Sequence, residues 1–252
     1  MRSHDRDFVG SLEKGLALIE AFDIAQPGLT VAEAARKTGL TRAAARRYLL
    51  TLVALNYAET DGKHFSLMPR VLRLGYAYLS TASFPKIAQP FLDRIGEKTK
   101  EVTSLAVLEG TEVLFVARSS IRRMVAATTN VGLRMPAYCT AAGRVMLASL
   151  SDEVLVEMFK SVKRERFTPH TKTRVDELMA EIVRVRANGY SISDEELELG
   201  LRSIAVPLVD SRGEVRLAIA VSLLSAHMSA TDMVSEILPQ LRASKLALEA
   251  ML

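Results

Sequence analysis

Residues 30–55, TVAEAARKTGLTRAAARRYLLTLVAL, read as two short helices joined by a tight turn, the second carrying arginines along one side. Thr30 and Glu33 have the T-x-x-E spacing in which each side chain satisfies an unpaired amide at a helix start. The first helix is therefore predicted over about residues 31–37, with Gly39 ending it and Thr41 capping the next. At about 100° per residue, Arg42, Ala43, Arg46 and Arg47 fall on one arc of the second helix; Ala44, Ala45, Tyr48, Leu49, Leu52 and Leu55 fall opposite. One face packs, and the other is left to meet phosphate and base edges.

The flanking sequence extends this pattern. Residues 57–60 and 63–66 are strand-like runs around Asp61-Gly62, a turn pair suited to a two-residue hairpin, which predicts a β-wing. Ahead of the helix pair, Leu12, Leu16, Ile19, Ala21 and Phe22 form an apolar stripe at helical spacing. Exposed arginines alone would also suit an ordinary helical hairpin with a solvated basic face. The agreement of caps, turn chemistry and charge favours a winged helix-turn-helix domain over residues 1–68.

The chain has 252 residues, 49% of them hydrophobic, enough for two domains with cores of their own. No run approaches membrane-spanning length and the N-terminal residues carry mixed charges, which predicts a cytoplasmic protein. A single cysteine excludes an internal disulfide framework. Of the net charge of +4, residues 1–80 hold 11 Lys and Arg against 8 Asp and Glu, a surplus of +3. That modest excess suits phosphate contact and would equally suit a solvated surface.

After the wing, residues 69–83 are predicted as a linker helix with Pro69 at its first position. Val71, Leu72, Leu74, Tyr76 and Tyr78 give it an apolar content suited to packing on another protomer or on the second domain. Ser83, Phe84 and Pro85 break it, and a second domain follows over residues 84–252. There a helix with Pro90 near its start should run toward Lys100. Further helices are predicted over 140–150, 152–159, 175–187 and from near Ser229, and strands over 103–108, 113–117, 124–129, 190–193, 203–209 and 214–223. Local hairpins mixed with helices argue for an α+β domain on a largely antiparallel sheet, as in small-molecule sensor modules.

Catalytic and metal-binding chemistry is sparse. The histidines, His4, His64, His170 and His227, form no metal-ligand motif, and no phosphate-binding, dinucleotide-binding or nucleophile-elbow motif is present, so neither an enzyme nor a cofactor is predicted. Cys139 reads as a small buried residue rather than a nucleophile. The acidic run 194–198 reads as a solvated turn with one or two structural caps. Arg134, Pro136, Tyr138 and then residues 139–143, CTAAG, place an arginine, an aromatic ring and a helix start of small residues, with Thr140 leading it, in one short stretch. Such a constellation suits a bound carboxylate, and the same small residues suit a tight helix-on-sheet contact equally well.

Four segments in order, SLEKGLALIEAF at 11–22, the helix pair at 30–55, VGLRMPAYCTAAGRVMLA at 131–148 and NGYSISDEELELGLRSIAVPL at 188–208, resemble the IclR family of bacterial transcriptional regulators. The chain looks most like the branch controlling aromatic-acid catabolism through the β-ketoadipate pathway. The resemblance implies a winged helix-turn-helix domain, a dimerising linker helix and a C-terminal GAF-like effector domain, in dimers that often pair into tetramers. It implies an effector pocket at Met124, Ala127, Ala141, Ala142, Asp194, Ser203 and Ser222. The chain departs from the branch at Ala141 and Ala142, where a bulkier pair is common, at Cys139, usually Ala, and at Ser193, acidic in some relatives. Those departures imply a roomier pocket or a different acid.

The expected mechanism has each protomer of a dimer placing Arg42, Ala43, Arg46 and Arg47 in successive major grooves of a pseudo-palindromic operator. Lys63 and His64 of the wing meet the neighbouring backbone or minor groove, and Ser11, Lys14 and Thr41 contact phosphates. A small organic acid, aromatic on the resemblance, would bias the C-terminal domains between two packings. Three other readings stay open: a non-aromatic acid effector, a DNA-binding protein with no effector, and an enzyme with an accessory DNA-binding domain.

Overall fold

In the computed structural model, which describes residues 7–23, 26–119 and 130–252, the Glu33 amide donates to Thr30 Oγ1 at 3.3 Å. The Thr30 amide donates to the Glu33 carboxylate at 2.8 Å. This reciprocal cap starts helix α2, Val31–Thr38, and Gly39 ends it in the left-handed conformation at φ 69°. Thr41 Oγ1 accepts from the Ala44 amide at 3.2 Å and starts α3, Arg42–Ala54. With α1, Gly10–Glu20, and strands β1, Gly28–Leu29, β2, Ala58–Thr60, and β3, Phe65–Leu67, these make a three-helix unit with a small antiparallel sheet ordered β1-β3-β2. Leu18, Leu29, Ala34, Ala45, Leu49, Leu52, Ala58 and Phe65 form its core.

Three expectations for this unit are corrected. Of the expected stripe, Ile19, Ala21 and Phe22 are half-buried beside fully buried Leu18, whereas Leu12 is 62% and Leu16 44% exposed. Leu55 is exposed because α3 stops one residue before it. The hairpin loop holds residues 61–64, since Thr60 pairs with Phe65. Asp61 Oδ1 accepts from the amides of both Lys63 and His64, at 2.8 and 2.7 Å, and so holds these two residues in the loop rather than in the strand. Those two amide bonds hold the Asp61 carboxyl down at about 2.

A tight turn at Pro69–Val71 leads into α4, Leu72–Thr81, and the chain divides into two compact units between Tyr78 and Leu79. The helix break falls at Ala82 rather than across residues 83–85, and α5, Ser83–Thr99, begins at once. Pro85 sits in its first turn, where the missing amide costs nothing. Pro90 is interior rather than near the start, and burial of Ala88, Leu92 and Ile95 holds the helix together around it.

The second unit is built on six antiparallel strands, β4 Val102–Glu109, β5 Glu112–Arg118, β6 Arg134–Pro136, β7 Ser191–Asp194, β8 Leu201–Val209 and β9 Val215–Leu224, ordered β6-β5-β4-β9-β8-β7. The short β6 has no counterpart in the sequence reading, and the strand expected over 124–129 lies outside the described residues. Period-two alternation gives the sheet two unlike faces. Leu105, Ile204, Val206, Leu208, Ile219, Val221 and Leu223 pack against α5 and the C-terminal helices, α9 Ala230–Asp232, a π-helical segment Met233–Ile237 and α10 Leu238–Glu249. Ala106, Ala205, Ala218 and Ala220 face α6, Ala141–Leu147, α7, Asp152–Ser161, and α8, Val175–Asn188.

α6 is shorter than expected and lies close to the chain that leads into it. A Cβ added at Gly143 would stand 2.2 Å from the Ala137 carbonyl oxygen, so only glycine permits this approach. Gly143→Ala is expected to destabilise the second unit by about 3 kcal/mol through overpacking, read from the midpoint of urea unfolding.

Candidate functional site

On the N-terminal unit, α3 presents Arg42, Ala43, Arg46 and Arg47 exposed in two i, i+4 pairs, opposite buried Ala45, Leu49 and Leu52. None of the three guanidinium groups makes an ion pair among the described residues. Ser11 and Lys14 of α1 join Ala44, Arg47, Tyr48 and Thr51 of α3 around one surface groove of about 410 Å³. The groove thus places a hydroxyl and an ammonium beside Arg47. Lys63 and His64 lie exposed in the wing loop. Thr41 is also exposed, its oxygen accepting the helix-cap bond while its O–H remains available to donate.

In the second unit a cavity of about 30 Å³ opens between α6 and the small-residue face of the sheet. Its floor is a row of serines on neighbouring strands, Ser193 paired with Ser203 and Ser203 with Ser222. Thr140, Ala141 and Ala142 at the start of α6 form one wall, and Phe115, Met135, Leu197, Leu201 and Ala220 complete the lining. Ser193 Oγ donates to the Cys139 carbonyl at 2.8 Å and ties β7 to the turn before α6. Thr140 Oγ1 accepts from the Gly143 amide at 3.2 Å.

A buried ion pair closes this arrangement. Arg144 and Glu196, each about 1% exposed, form a two-pronged bond, Nη1 to Oε1 at 2.5 Å and Nη2 to Oε2 at 2.6 Å. Arg144 Nε also donates to the Tyr138 carbonyl at 2.9 Å, and Lys172 Nζ donates to Glu196 Oε1 at 2.9 Å. Burial pushes the Glu196 carboxyl up, but the Arg144 fork and Lys172 more than offset this and hold it below its ordinary value of 4.5. Among the described residues no group of three or more His, Cys, Asp or Glu is placed to hold a metal, and no helix is long and apolar enough to cross a membrane.

The family described as the IclR helix-turn-helix domain matches residues 11–62, and that described as bacterial transcriptional regulator IclR C-terminal matches residues 76–250. The chain belongs to the IclR family of bacterial transcriptional regulators. It is 42% identical over 241 residues to the Pca regulon regulatory protein of Pseudomonas putida, covering 95% of this chain and 83% of that protein. It is 39% identical over 241 residues to the p-hydroxybenzoate hydroxylase transcriptional activator of Acinetobacter baylyi, covering 94% and 89%. Among solved structures, it is similar to the inducer-binding domain of the PobR transcription factor from Acinetobacter, a double mutant in complex with 3-hydroxybenzoic acid. The TM-score is 0.65 at 31% identity, over 68% of this chain and all of that one.

Within this IclR-type chain, Thr140, Ala141, Ala142, Ser203 and Ser222 share the cavity. Other candidates lie elsewhere. Arg134 sits on the exposed sheet edge, bonded to Glu109 at 2.7 Å and Glu112 at 3.2 Å, because β6 turns it away from α6. The Tyr138 ring is buried, its hydroxyl donates to the Glu165 carbonyl at 2.6 Å, and burial pushes it up to about 12. Asp194 pairs with Arg202 at 2.6 Å in a separate surface groove that also includes His170, Lys172 and Glu195. Met124 and Ala127 lie outside the described residues. Cys139 is fully buried, and burial pushes its thiol up to about 12, so it has no thiolate character near neutrality.

The acidic run is not simply a solvated turn, since Glu196 is buried within it. An arginine inside the apolar run AAGRVMLA was the available signal for this partner. Of the cavity residues missed, Ala220 was signalled by LAIAVSLL at 217–224, where small residues alternate with large ones and Ser222 was already a candidate, whereas Phe115, Met135, Leu197 and Leu201 carried no such signal. Glu196→Ala should cost about 3–5 kcal/mol by leaving Arg144 buried and unpaired. The native carboxyl titrates below 4.5, so the pair stabilises fully above that value and loses its contribution as pH falls through the lower native one. The stability advantage of the natural chain over Glu196→Gln should therefore shrink between neutral pH and acid, as read by urea unfolding at each pH.

Proposed function

We propose that this regulator binds a pseudo-palindromic operator as a dimer and that an aromatic acid taken up in the second unit controls that binding. The observation that carries the reading is the cavity itself. Thr140, Ala141, Ala142, Ser203 and Ser222, far apart in sequence, line one space in a chain similar to regulators of aromatic-acid catabolism. Its hydroxyls suit ring substituents, and Phe115, Leu197 and Leu201 suit the ring.

At about 30 Å³ the cavity has room for water rather than for a ring. Uptake of an aromatic acid requires the large lining side chains to swing away, because the alanines and serines of the floor have nothing to move. Binding and conformation are thereby linked, which is the requirement for an effector. In a thermal melt, protocatechuate or 4-hydroxybenzoate at about 100 times its dissociation constant should add about 2.7 kcal/mol and raise the second unit's midpoint by roughly 5–10 °C. Pyruvate and muconate serve as non-aromatic comparisons. Stabilisation by pyruvate alone would assign a non-aromatic effector, and none by any acid would leave a DNA-binding protein without one.

On the DNA side, the arginine face of α3 supports major-groove reading, while the groove shared by Ser11, Lys14 and Arg47 supports phosphate contact. Arg42→Ala or Arg46→Ala should cost about 1–3 kcal/mol on the operator and relax its sequence preference in a mobility-shift assay. Lys14→Ala should weaken binding to all sequences alike and lower the salt slope by about 1. Unchanged operator affinity in the arginine variants would refute this placement.

A further inference from the structure

One residue of α3 departs from its place on the helical wheel. Tyr48 falls on the packing arc with Leu49 and Leu52, yet those two are buried and Tyr48 is only half-buried. It packs against the core of the N-terminal unit and also lines the surface groove between α1 and α3. Ala44, one turn earlier on the same side, offers the groove only a methyl group.

The groove is lined by donors. Ser11 and Lys14 stand three residues apart on one side of α1, across from Arg47, Tyr48 and Thr51 of α3. No carboxylate lines it. Among the described residues the Ser11 hydroxyl, the Lys14 ammonium, the Arg47 guanidinium and the Tyr48 hydroxyl make no hydrogen bond or ion pair. Thr51 is set differently, because its Oγ1 already donates to the Arg47 carbonyl at 2.8 Å. The Tyr48 hydroxyl is not one of the buried unpartnered oxygens, so it opens to water. Two cations and two free hydroxyls around one open groove suit a group that carries negative charge and offers only acceptors. A phosphodiester of the duplex is such a group, and Arg47 on this wall belongs to the face that α3 turns toward DNA.

We propose that Tyr48 is a further DNA-contacting residue, its hydroxyl donating to a backbone phosphate that Ser11 and Lys14 approach from the α1 side. The assignment rests on the phosphate-contact reading of this groove given above. A tyrosine side chain turns about only two bonds, and with its ring packed on the core it loses little freedom when its hydroxyl meets the phosphate. Lys14 brings charge on a flexible stem, whereas Tyr48 brings a fixed point on α3 itself. The contact therefore sets how α3 is seated against the backbone and not which bases it reads.

The test is Tyr48→Phe, which keeps the ring and removes only the hydroxyl, measured by fluorescence anisotropy on a duplex that the natural chain selects from a random-sequence pool. Affinity should fall about tenfold, for this duplex and for unrelated sequences alike. The dependence of log affinity on log salt should keep its slope, because an uncharged hydroxyl displaces no counterion, while Lys14→Ala should lower that slope by about 1. In a scan that replaces one backbone phosphate at a time by methylphosphonate, the contacted position should cost the natural chain more than Tyr48→Phe, and every other position should cost both alike. Native affinity in Tyr48→Phe, or equal penalties for the two chains at every position, would overturn the assignment and make Tyr48 a packing residue. If Lys14→Ala also leaves affinity and slope unchanged, the phosphate reading of the whole groove falls and the assignment with it. A loss in Lys14→Ala beside native affinity in Tyr48→Phe removes the assignment alone.

Discussion

The second unit depends on the buried pair of Arg144 and Glu196. Two charges at about 1% exposure have lost their hydration, and the two-pronged geometry, the Arg144 bond to the Tyr138 carbonyl and the bonds from Lys172 to Glu196 offset that loss. What the pair secures is position. Arg144 lies on α6, two residues after Ala142 of one cavity wall, and Glu196 directly precedes Leu197 of another. The backbone around Glu196 is fixed as well, since Thr171 donates to its carbonyl and Thr168 to that of Glu195. The two sides of the cavity are therefore clamped to one another rather than merely packed.

The sheet divides its labour between faces. Leu105, Ile204, Val206, Ile219 and Val221 fill one side against α5 and α10, and at about 1.5–3 kcal/mol for each large apolar side chain buried, they supply most of the cohesion. On the other side Ala106, Ala205, Ala218 and Ala220 contribute little volume, so α6 approaches closely and shape is left open for a ligand. Large apolar side chains and the small residues that border the cavity thus fall on opposite faces of the same strands, residue by residue along β9.

Much of this organisation is local chemistry and was readable as such. Thr30 with Glu33, Gly39 and Thr41 each act within four residues of themselves, so the helix pair and its exposed arginines follow from the sequence directly. The six-stranded sheet was legible in outline because its strands alternate and its turns carry Gly110 and Gly213 at positive φ. What escaped was set by partners distant in the chain. Glu196 is buried because an arginine 52 residues earlier awaits it. Arg134 faces solvent because a three-residue strand places it opposite Leu114 on an edge. The wing loop was misjudged for a local reason: the Asp61 carboxylate captures two amides, which a two-residue turn does not allow.

The two ends of the chain use charge in opposite regimes. On α3 the guanidinium groups are exposed and make no ion pair among the described residues, so their attraction to a polyanion is long-ranged, screened by salt and accompanied by release of its counterions. In the second unit, Arg144 is fully paired away from water, where salt has little access and geometry decides the energy. Ionic strength should therefore govern operator affinity steeply, while the stability that the buried pair gives the second unit should respond to salt only weakly.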